Sequence, residues 1–236
     1  MQFRQILASS SSTLLLASLI ITNVNALAGP QMSQAVPFLA RPKVLDQVDL
    51  AGDVGFDPLN LAGTVDNLME MREAEIKHAR LAMLAAAGWP ISELLDNKIA
   101  SALNLSSTLD AADRVPSLLN GGLDKISPLW WGFCVGLTAA IDLYGQKRAR
   151  FVADYIPGDL GFDPFGLYPE EMDEEGRKRM QLAEVKHGRI AMLAVTGYAI
   201  QEAVLKEGVV DETPFFFAPF TQTLGNALEK FLQQSQ

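Results

Sequence analysis

An eleven-residue stretch occurs twice in this chain, 109 residues apart, and it constrains the fold more than any other feature. Residues 74–84 read AEIKHARLAML and residues 183–193 read AEVKHGRIAML, with eight of eleven positions identical. Each copy places a glutamate, a histidine and an arginine, in the pattern E-x-x-H-x-R, at the start of an apolar run. The sequence therefore predicts two equivalent helices that carry charged residues into apolar surroundings.

The repeat extends upstream of this stretch. AGDVGFDPLNL at 51–61 and PGDLGFDPFGL at 157–167 are rich in Gly, Asp and Pro, so each predicts an ordered turn or loop. Repeat one is assigned to residues 51–95 and repeat two to residues 157–205. Between them lies one further candidate helix, which begins SPLWWGFCVGLTAAI and is assigned to residues 127–145.

The predicted helices are apolar but interrupted by charges. Helix one is expected from about Asp66 to Leu95, with a kink at Pro90, and helix three from about Asp173 to Val204. Neither holds the ~18 uninterrupted apolar residues of an ordinary membrane helix. Both reach spanning length only if their E-x-x-H-x-R residues lie in the membrane. Because one helix crosses between them, they run in the same direction and are related by a pseudo-two-fold axis along the membrane normal.

Helix geometry predicts the partners of these charges. Glu75 and Arg80 are five residues apart, which is about 140° around a helix with ~3.6 residues per turn, so they do not pair with each other. The same holds for the second repeat. Since charges inside a membrane need partners, we expect Glu75 to meet Arg189 where the two helices cross. By the same argument, Glu184 meets Arg80.

The chain has only two histidines, His78 and His187, and they occupy matching positions. A lone histidine on an apolar helix is more often a satisfied core residue, but two matched ones beside matching Glu and Arg favour ligands. A zinc site built from both motifs would bring two arginines close to the cation. Magnesium that is already held by a macrocycle needs only one axial oxygen or nitrogen from the protein. Single ligands can then be spread along the helices.

The composition excludes one class of partner, and the two ends of the chain differ from its middle. With a net charge of −9, the chain lacks the clustered Lys and Arg that nucleic-acid binding requires. The single cysteine, Cys134, cannot form an internal disulfide and is interpreted as a buried apolar residue. Residues 1–28 contain the short apolar run TLLLASLII and predict a signal or transit peptide. Residues 219–234 predict a short amphipathic helix.

With these residues in view, the chain resembles the light-harvesting complex family of chloroplasts. The paired E-x-x-H-x-R-x-A-M-L motifs and the G-D-x-G-F-D-P loops carry the resemblance, which spans about Val36 to Leu205. His187, where green-plant members often have asparagine, and the opening VPFLARPKVLD are similar to the fucoxanthin chlorophyll a/c-binding branch of diatoms and related algae. The resemblance implies an all-α membrane protein with three transmembrane helices, the first and third crossing, plus the short amphipathic helix. It also implies a single domain over residues 36–236.

The matching positions imply a set of pigment-binding residues: Glu75, His78, Glu184 and His187 as axial ligands of chlorophyll magnesium, and Arg80 and Arg189 as neutralising partners. Gln201, seventeen residues beyond Glu184, matches a glutamine of the family and becomes a further ligand candidate. In the middle helix the family often uses glutamate, and Asp142 is the nearest equivalent. It is one methylene shorter, so a helix-end cap is an equal alternative. The two G-F-D-P loops imply carotenoid head-group sites.

The function implied by the resemblance is that of an antenna, which makes and breaks no bond and is not an enzyme. It would bind chlorophyll a, chlorophyll c, fucoxanthin and related carotenoids in the plastid thylakoid membrane. The implied partners are a photosystem core, neighbouring light-harvesting proteins and thylakoid lipids, with photosystem I favoured over photosystem II by KHARLAMLAAAGWPISELL.

Two alternatives stay open. A photoprotective, energy-dissipating member would bind similar pigments and would need a pH sensor. The acidic residues after helix one, Glu93, Asp96, Asp110 and Asp113, are not distinguishable by sequence from ordinary solvated charge. More remotely, Glu-x-x-His on two helices is typical of di-iron carboxylate enzymes, but these need a further glutamate from each of two other helices.

Overall fold

In the computed structural model, residues 31–153, 155–168 and 173–217 are described, and their regular structure is helical. The predicted signal segment, residues 1–28, and the predicted amphipathic tail, residues 219–234, lie outside these ranges. The helices, in chain order, are α1 (Val65–Leu103), α2 (Pro128–Phe151), α3 (Glu174–Leu205) and the single-turn α4 (Val209–Glu212). Two 3₁₀ turns, Lys43–Asp46 and Gly122–Lys125, precede α1 and α2.

The chain divides into two compact units, Met1–Leu68 and Met69–Gln236, and the boundary falls inside the predicted domain 36–236. The described part of the first unit has a small apolar core formed by Leu45, Ala62 and Leu68. Arg41 stabilises this unit by donating to Asp46 Oδ1 at 2.8 Å and by pairing with Asp53. The second unit contains most of α1 and all of the remaining helices.

Helix α1 is longer than the sequence predicts, because it continues through Pro90 and ends at Leu103 instead of Leu95. Its end is set by Asn104, which adopts the left-handed conformation with φ 53°. The next amide, that of Leu105, donates to the carbonyl of Ala100 at 2.8 Å. This is the hydrogen-bond pattern with which many helices terminate, and asparagine is one of the residues that tolerate it.

Helix α2 begins where the sequence predicts and ends later, at Phe151. The hydroxyl oxygen of Ser127 accepts from the Leu129 amide at 3.3 Å and caps the helix. Arg148 and Arg150 lie in the last turn, where positive charge interacts favourably with the helix dipole. Asp142 therefore lies inside the helix, and its interpretation as a helix-end cap is wrong.

Helices α1 and α3 contact each other in register. Where Gly188 faces Ala79, a Cβ added to the glycine would lie 2.3 Å from the Cβ of the alanine, so only glycine fits there. Ten residues further along both helices, the rings of Trp89 and Tyr198 are 6.2 Å apart. The residues in contact therefore have increasing numbers along α1 and along α3 in the same direction. The two repeat helices thus run in the same direction, as the sequence predicts.

All three long helices present large apolar side chains on their surfaces. Leu84 and Leu193, at matching positions of α1 and α3, are 74% and 75% exposed. Helix α2 buries only Gly145 and exposes most of its apolar residues. Across the described ranges, none of the helices reaches the length and hydropathy of a membrane-crossing segment.

Candidate functional site

Two ion pairs join α1 to α3, and each links the glutamate of one repeat to the arginine of the other. Arg80 Nε donates to Glu184 Oε1 at 2.7 Å, and Arg189 Nε donates to Glu75 Oε1 at 2.7 Å. Both cross-repeat pairs predicted from the sequence are present. The four side chains are 26% to 39% exposed. Each pair therefore brings opposite charges together while leaving part of the carboxylate side chain exposed, and Arg72 Nη1 also lies 3.0 Å from the second oxygen of Glu75.

The two histidines have the same environment in both repeats. Nδ1 of His78 lies 2.7 Å from the carbonyl oxygen of Ala74, and Nδ1 of His187 lies 2.8 Å from that of Ala183. A carbonyl only accepts hydrogen bonds, so Nδ1 carries the proton of each neutral ring and Nε2 keeps its lone pair. Both rings are exposed. A histidine fixed in this way by its second nitrogen is well suited to bind one metal ion through Nε2.

Gln201 lies on α3 one turn before its end and is half-buried. Its amide nitrogen is buried and has no hydrogen-bond partner within the described part of the chain. Buried polar atoms in folded proteins nearly always have a partner, so this side chain fits a role in holding a bound group.

The first aspartates of the two G-D-x-G-F-D-P loops make equivalent contacts. Asp53 Oδ1 accepts from the amide of Gly55 at 2.7 Å, and Asp159 Oδ1 accepts from the amide of Gly161 at 2.7 Å. An arginine from outside the loop meets each aspartate: Arg41 pairs with Asp53, and Arg148 with Asp159 at 3.2 Å. The repeated sequence thus forms a repeated local structure.

The second aspartates of these loops also match. Asp57 accepts from two backbone amides at 3.0 Å, and Asp163 accepts from the amides of Leu167 and Tyr168 at 3.1 and 2.7 Å. These hydrogen bonds hold the pKa of Asp163 below its ordinary value. The neighbouring rings of Phe162 and Phe165 are exposed. The loop therefore presents an apolar surface on a rigid, hydrogen-bonded frame.

The second loop is fixed to α1. Glu73 accepts from the hydroxyl of Tyr155 at 3.0 Å and from the amide of Gly158, whose carbonyl accepts from Arg80 Nη1 at 2.6 Å. Burial and the Glu73 carboxylate raise the pKa of Tyr155 to about 12, so its hydroxyl remains a donor. Gly158 has φ 81°, and a Cβ added there would lie 2.6 Å from Ile76. Arg80 thus positions both Glu184 and this loop.

Sequence reasoning missed a second meeting of the two repeats, at Glu93 and Glu202. Glu202 is fully buried and accepts from Trp89 Nε1 at 2.7 Å and from Asn120 Nδ2 at 3.2 Å. Glu93 accepts from the two backbone amides that begin α4, at 3.0 and 2.8 Å. Glu93 therefore belongs to α1 and is half-buried, so its placement in a solvated loop after helix one is wrong.

Burial raises the pKa of both carboxyl groups. For Glu93, burial and the neighbouring Glu202 carboxylate raise the pKa from its ordinary value of 4.5 to about 7, against the lowering effect of the α4 amides. Burial likewise raises the pKa of Glu202, although Trp89 lowers it in part. A signal for this pair was available in the sequence, because the two residues differ by the same 109 positions as the repeated motifs.

In the described ranges, no three or more His, Cys, Asp or Glu side chains are grouped so that they could hold a metal ion.

Comparison with known proteins identifies the family of this chain. The family described as Chlorophyll A-B binding protein matches residues 41–203 and 149–234. The light-harvesting complex stress-related protein 1 of Chlamydomonas reinhardtii is 33% identical over 178 residues, which cover 70% of this chain and 67% of the relative. The fucoxanthin-chlorophyll a-c binding protein of Isochrysis galbana is 34% identical over 164 residues, or 63% of this chain and 72% of the relative. The photosystem I chlorophyll a/b-binding protein 5 of Arabidopsis thaliana is 30% identical over 210 residues, or 80% and 77%.

Because the match to this family covers more than half of the chain and its relatives share 30% or more of their residues with it, the chain belongs to the chlorophyll-binding light-harvesting family.

Proposed function

We propose that this protein is a light-harvesting antenna that binds chlorophylls and carotenoids and passes their excitation energy to a photosystem. The observation that carries the proposal is the pair of reciprocal contacts, Arg80 with Glu184 and Arg189 with Glu75. The Glu184 carboxylate is paired with Arg80, and the Glu75 carboxylate is paired with Arg189 and, through its second oxygen, with Arg72 Nη1 at 3.0 Å. Each glutamate is followed three residues later by a histidine whose Nε2 keeps its lone pair. Four single ligands around one helix contact would bring their pigments next to one another, as energy transfer requires.

Each candidate ligand offers one atom to one magnesium ion. Chlorophyll, when bound, supplies a magnesium ion with four of its nitrogen ligands already in place. His78 and His187 offer Nε2, and Glu75 and Glu184 offer a carboxylate oxygen whose charge is cancelled by the arginine. Gln201 offers its amide oxygen. Magnesium is a hard cation, so these oxygen donors suit it.

We propose that the three long helices cross the thylakoid membrane of a plastid, over segments 71–90, 127–145 and 180–199. Twenty helical residues extend ~30 Å, the thickness of the hydrocarbon core. The glutamate and arginine of each E-x-x-H-x-R motif, which lower the hydropathy of α1 and α3, are neutralised across the repeats, which is the condition for ionised residues inside a membrane. Trp89 and Tyr198 lie near the ends of these segments, where aromatic residues are enriched. The two repeats would be related by a pseudo-two-fold axis along the membrane normal.

The names of the relatives support a proposal for the pigments and the partners. One relative is named for fucoxanthin and chlorophylls a and c. This chain resembles that branch in His187 and in the opening VPFLARPKVLD. We therefore propose chlorophyll a, chlorophyll c and fucoxanthin as cofactors. The exposed rings of Phe162 and Phe165 suit the apolar part of a carotenoid beside its loop. Another relative is named for photosystem I, which we propose as the partner ahead of photosystem II. Neighbouring light-harvesting proteins and thylakoid lipids would cover the remaining apolar surface.

A second candidate function is the dissipation of excitation energy in excess light. Two observations favour it: relatives named as stress-related proteins, and Glu93, a half-buried carboxyl that faces Glu202 and Tyr198 across the helix contact. A dissipating protein would bind the same pigments through the same ligands. The two functions therefore differ in the lifetime of the emission and not in the pigment sites.

Fluorescence of the protein purified from its native membrane tests both. For an antenna, excitation in the blue-green, where accessory pigments absorb, gives emission almost wholly from chlorophyll a, with a long lifetime at neutral pH. A dissipating protein shows the same transfer with a short lifetime. Chlorophyll whose emission cannot be excited through the accessory pigments would contradict both functions.

A further inference from the structure

Three ion pairs among the described residues join one long helix to another. Two of them are the reciprocal pairs between α1 and α3. The third joins α1 to α2, where Lys77 Nζ lies 2.7 Å from Asp142 Oδ1. The other ion pairs described lie within one element or involve a loop. A cation from one helix that meets a carboxylate on another is thus a rare feature here, and in two of three cases the carboxylate is a proposed magnesium ligand.

The Asp142 carboxylate resembles those of Glu75 and Glu184 in its surroundings. It is 41% exposed, compared with 26% and 32% for the two glutamates. Its second oxygen accepts from Gln146 Nε2 at 2.8 Å. Each carboxylate oxygen has two lone pairs, so one on each oxygen remains free for a metal ion.

The surface beside Asp142 is apolar and is left exposed by the described part of the chain. Leu143 and Tyr144, next to it in sequence, are at least half exposed, as are Val135 and Leu137 one to two turns earlier. Helix α2 buries only Gly145, which faces Leu160 and not α1. The described contact between α1 and α2 is therefore polar, and the apolar surface around it is available to a flat, apolar ligand.

We propose that Lys77 is a positioning residue that neutralises Asp142 and so makes it a third carboxylate ligand for chlorophyll magnesium. This inference rests on the proposed function. It explains why a residue shorter by one methylene can stand where the family often has glutamate: the cation comes from the neighbouring helix and holds the carboxylate in place. Lys77 is itself held by Glu73, at 3.2 Å, on the preceding turn of α1. The pigment on α2 would thereby be tied to α1.

Two charge-free double variants test whether Asp142 is a ligand. Lys77→Met with Asp142→Asn keeps a side-chain oxygen at position 142, and Lys77→Met with Asp142→Leu removes it. Neither leaves a charge at position 142, and both lose the contact of Lys77 with Glu73 equally, so they differ mainly in the ligand atom. The full-length protein is refolded with the pigment extract, and the chlorophyll-to-protein ratio and the absorption spectrum are measured. We expect the Asn variant to keep the full complement and the Leu variant to lose one chlorophyll per chain.

Two single variants and one of the double variants test the role of Lys77. We expect Lys77→Met alone to lose the same chlorophyll, Lys77→Arg to keep it, and Asp142→Asn to restore it in the Lys77→Met background. If Lys77 only tied the two helices together, Asp142→Asn would not restore the chlorophyll, because asparagine forms no ion pair. The inference is overturned if both double variants bind equal chlorophyll, or if Lys77→Met keeps the full complement. A wild-type protein that binds no chlorophyll would instead overturn the proposed function.

Discussion

At the scale of single residues, the distribution of charge explains most of the site. An offset of five residues prevents each glutamate from pairing with the arginine of its own motif, and this alone was sufficient to predict both cross-repeat pairs from the sequence. The free Nε2 of each histidine was not predictable in the same way, because it depends on which backbone carbonyl the ring faces. The two kinds of ligand are consequently tested by different substitutions.

Replacing Arg80 by leucine should prevent assembly and release the pigment on Glu184. Removing one partner of a buried ion pair costs about 3–5 kcal/mol, and the partial exposure of this pair places its cost towards or below the lower limit. The matched control is Arg80→Leu with Glu184→Gln, which has no unpaired charge and keeps a ligand oxygen, so its pigment content should recover. Refolding with pigments, followed by chlorophyll determination, measures both. Full pigment content in Arg80→Leu alone would contradict the role of the pair.

Replacing either His78 or His187 by leucine should remove about one chlorophyll per chain and leave the helices intact. The reason is that Nε2 is the ring atom available to a metal ion, whereas Nδ1 contacts only a backbone carbonyl of the same helix. Loss of the ring should therefore affect the pigment more than the fold. Glutamine at the same position serves as the control, since its amide oxygen can replace the nitrogen. The chlorophyll-to-protein ratio decides the matter. An unchanged ratio in both leucine variants would make the histidines structural.

At the scale of helices, the sequence predicted the number, order and direction of the long elements but not all of their ends. The start of α2 at Ser127–Pro128 and both ends of α3 were predicted within about one residue. The end of α1 was not: the sequence interpretation ends it near Leu95, whereas the helix continues to Leu103 and the residue that ends it is Asn104. Burial of Glu93 was also missed, since it requires α4, which is distant in sequence, to supply two amides.

The closest approach of α1 and α3 gives a prediction at this scale. Alanine at Gly188 places a methyl group 2.3 Å from that of Ala79, so the two helices must separate. We expect a lower thermal midpoint and weaker pigment binding, because overpacking typically costs ~1–3 kcal/mol. The exchange variant, Ala79→Gly with Gly188→Ala, keeps the total volume and should recover much of the loss. Equal midpoints for Gly188→Ala and the wild type would show that the helices tolerate this methyl group.

At the scale of the whole molecule, the two repeats meet twice, once at the reciprocal ion pairs and once at Glu93 and Glu202. The first meeting neutralises opposite charges. The second brings two carboxyl groups together, Glu93 in α1 and Glu202 near the end of α3, beyond the segments that we propose to span the membrane. The second meeting depends on pH, because burial and the Glu202 carboxylate raise the pKa of Glu93 to about 7.

The stability of this end of the molecule should therefore increase as the pH falls. A carboxyl group whose pKa is raised from 4.5 to about 7 binds a proton in the folded state that the unfolded chain releases. Folding is then penalised fully above about pH 7, and the penalty disappears as the pH falls towards 4.5. Glu93→Gln should remove most of this dependence. Thermal midpoints between about pH 5 and about pH 8 measure it. An identical pH profile in Glu93→Gln would show that Glu93 does not titrate in this range.

The reciprocal ion pairs also have a consequence for how the protein is made. Arg80 leaves the ribosome 104 residues before Glu184, which neutralises it, and Glu75 leaves it 114 residues before Arg189. During that interval neither charge has its final partner, and the first helix alone is a poor candidate for insertion into lipid. Insertion of the two repeats must then be coupled, or the first must be shielded until the second arrives. A nascent chain truncated before residue 184 should accordingly remain extractable from membranes by alkali, while the complete chain does not.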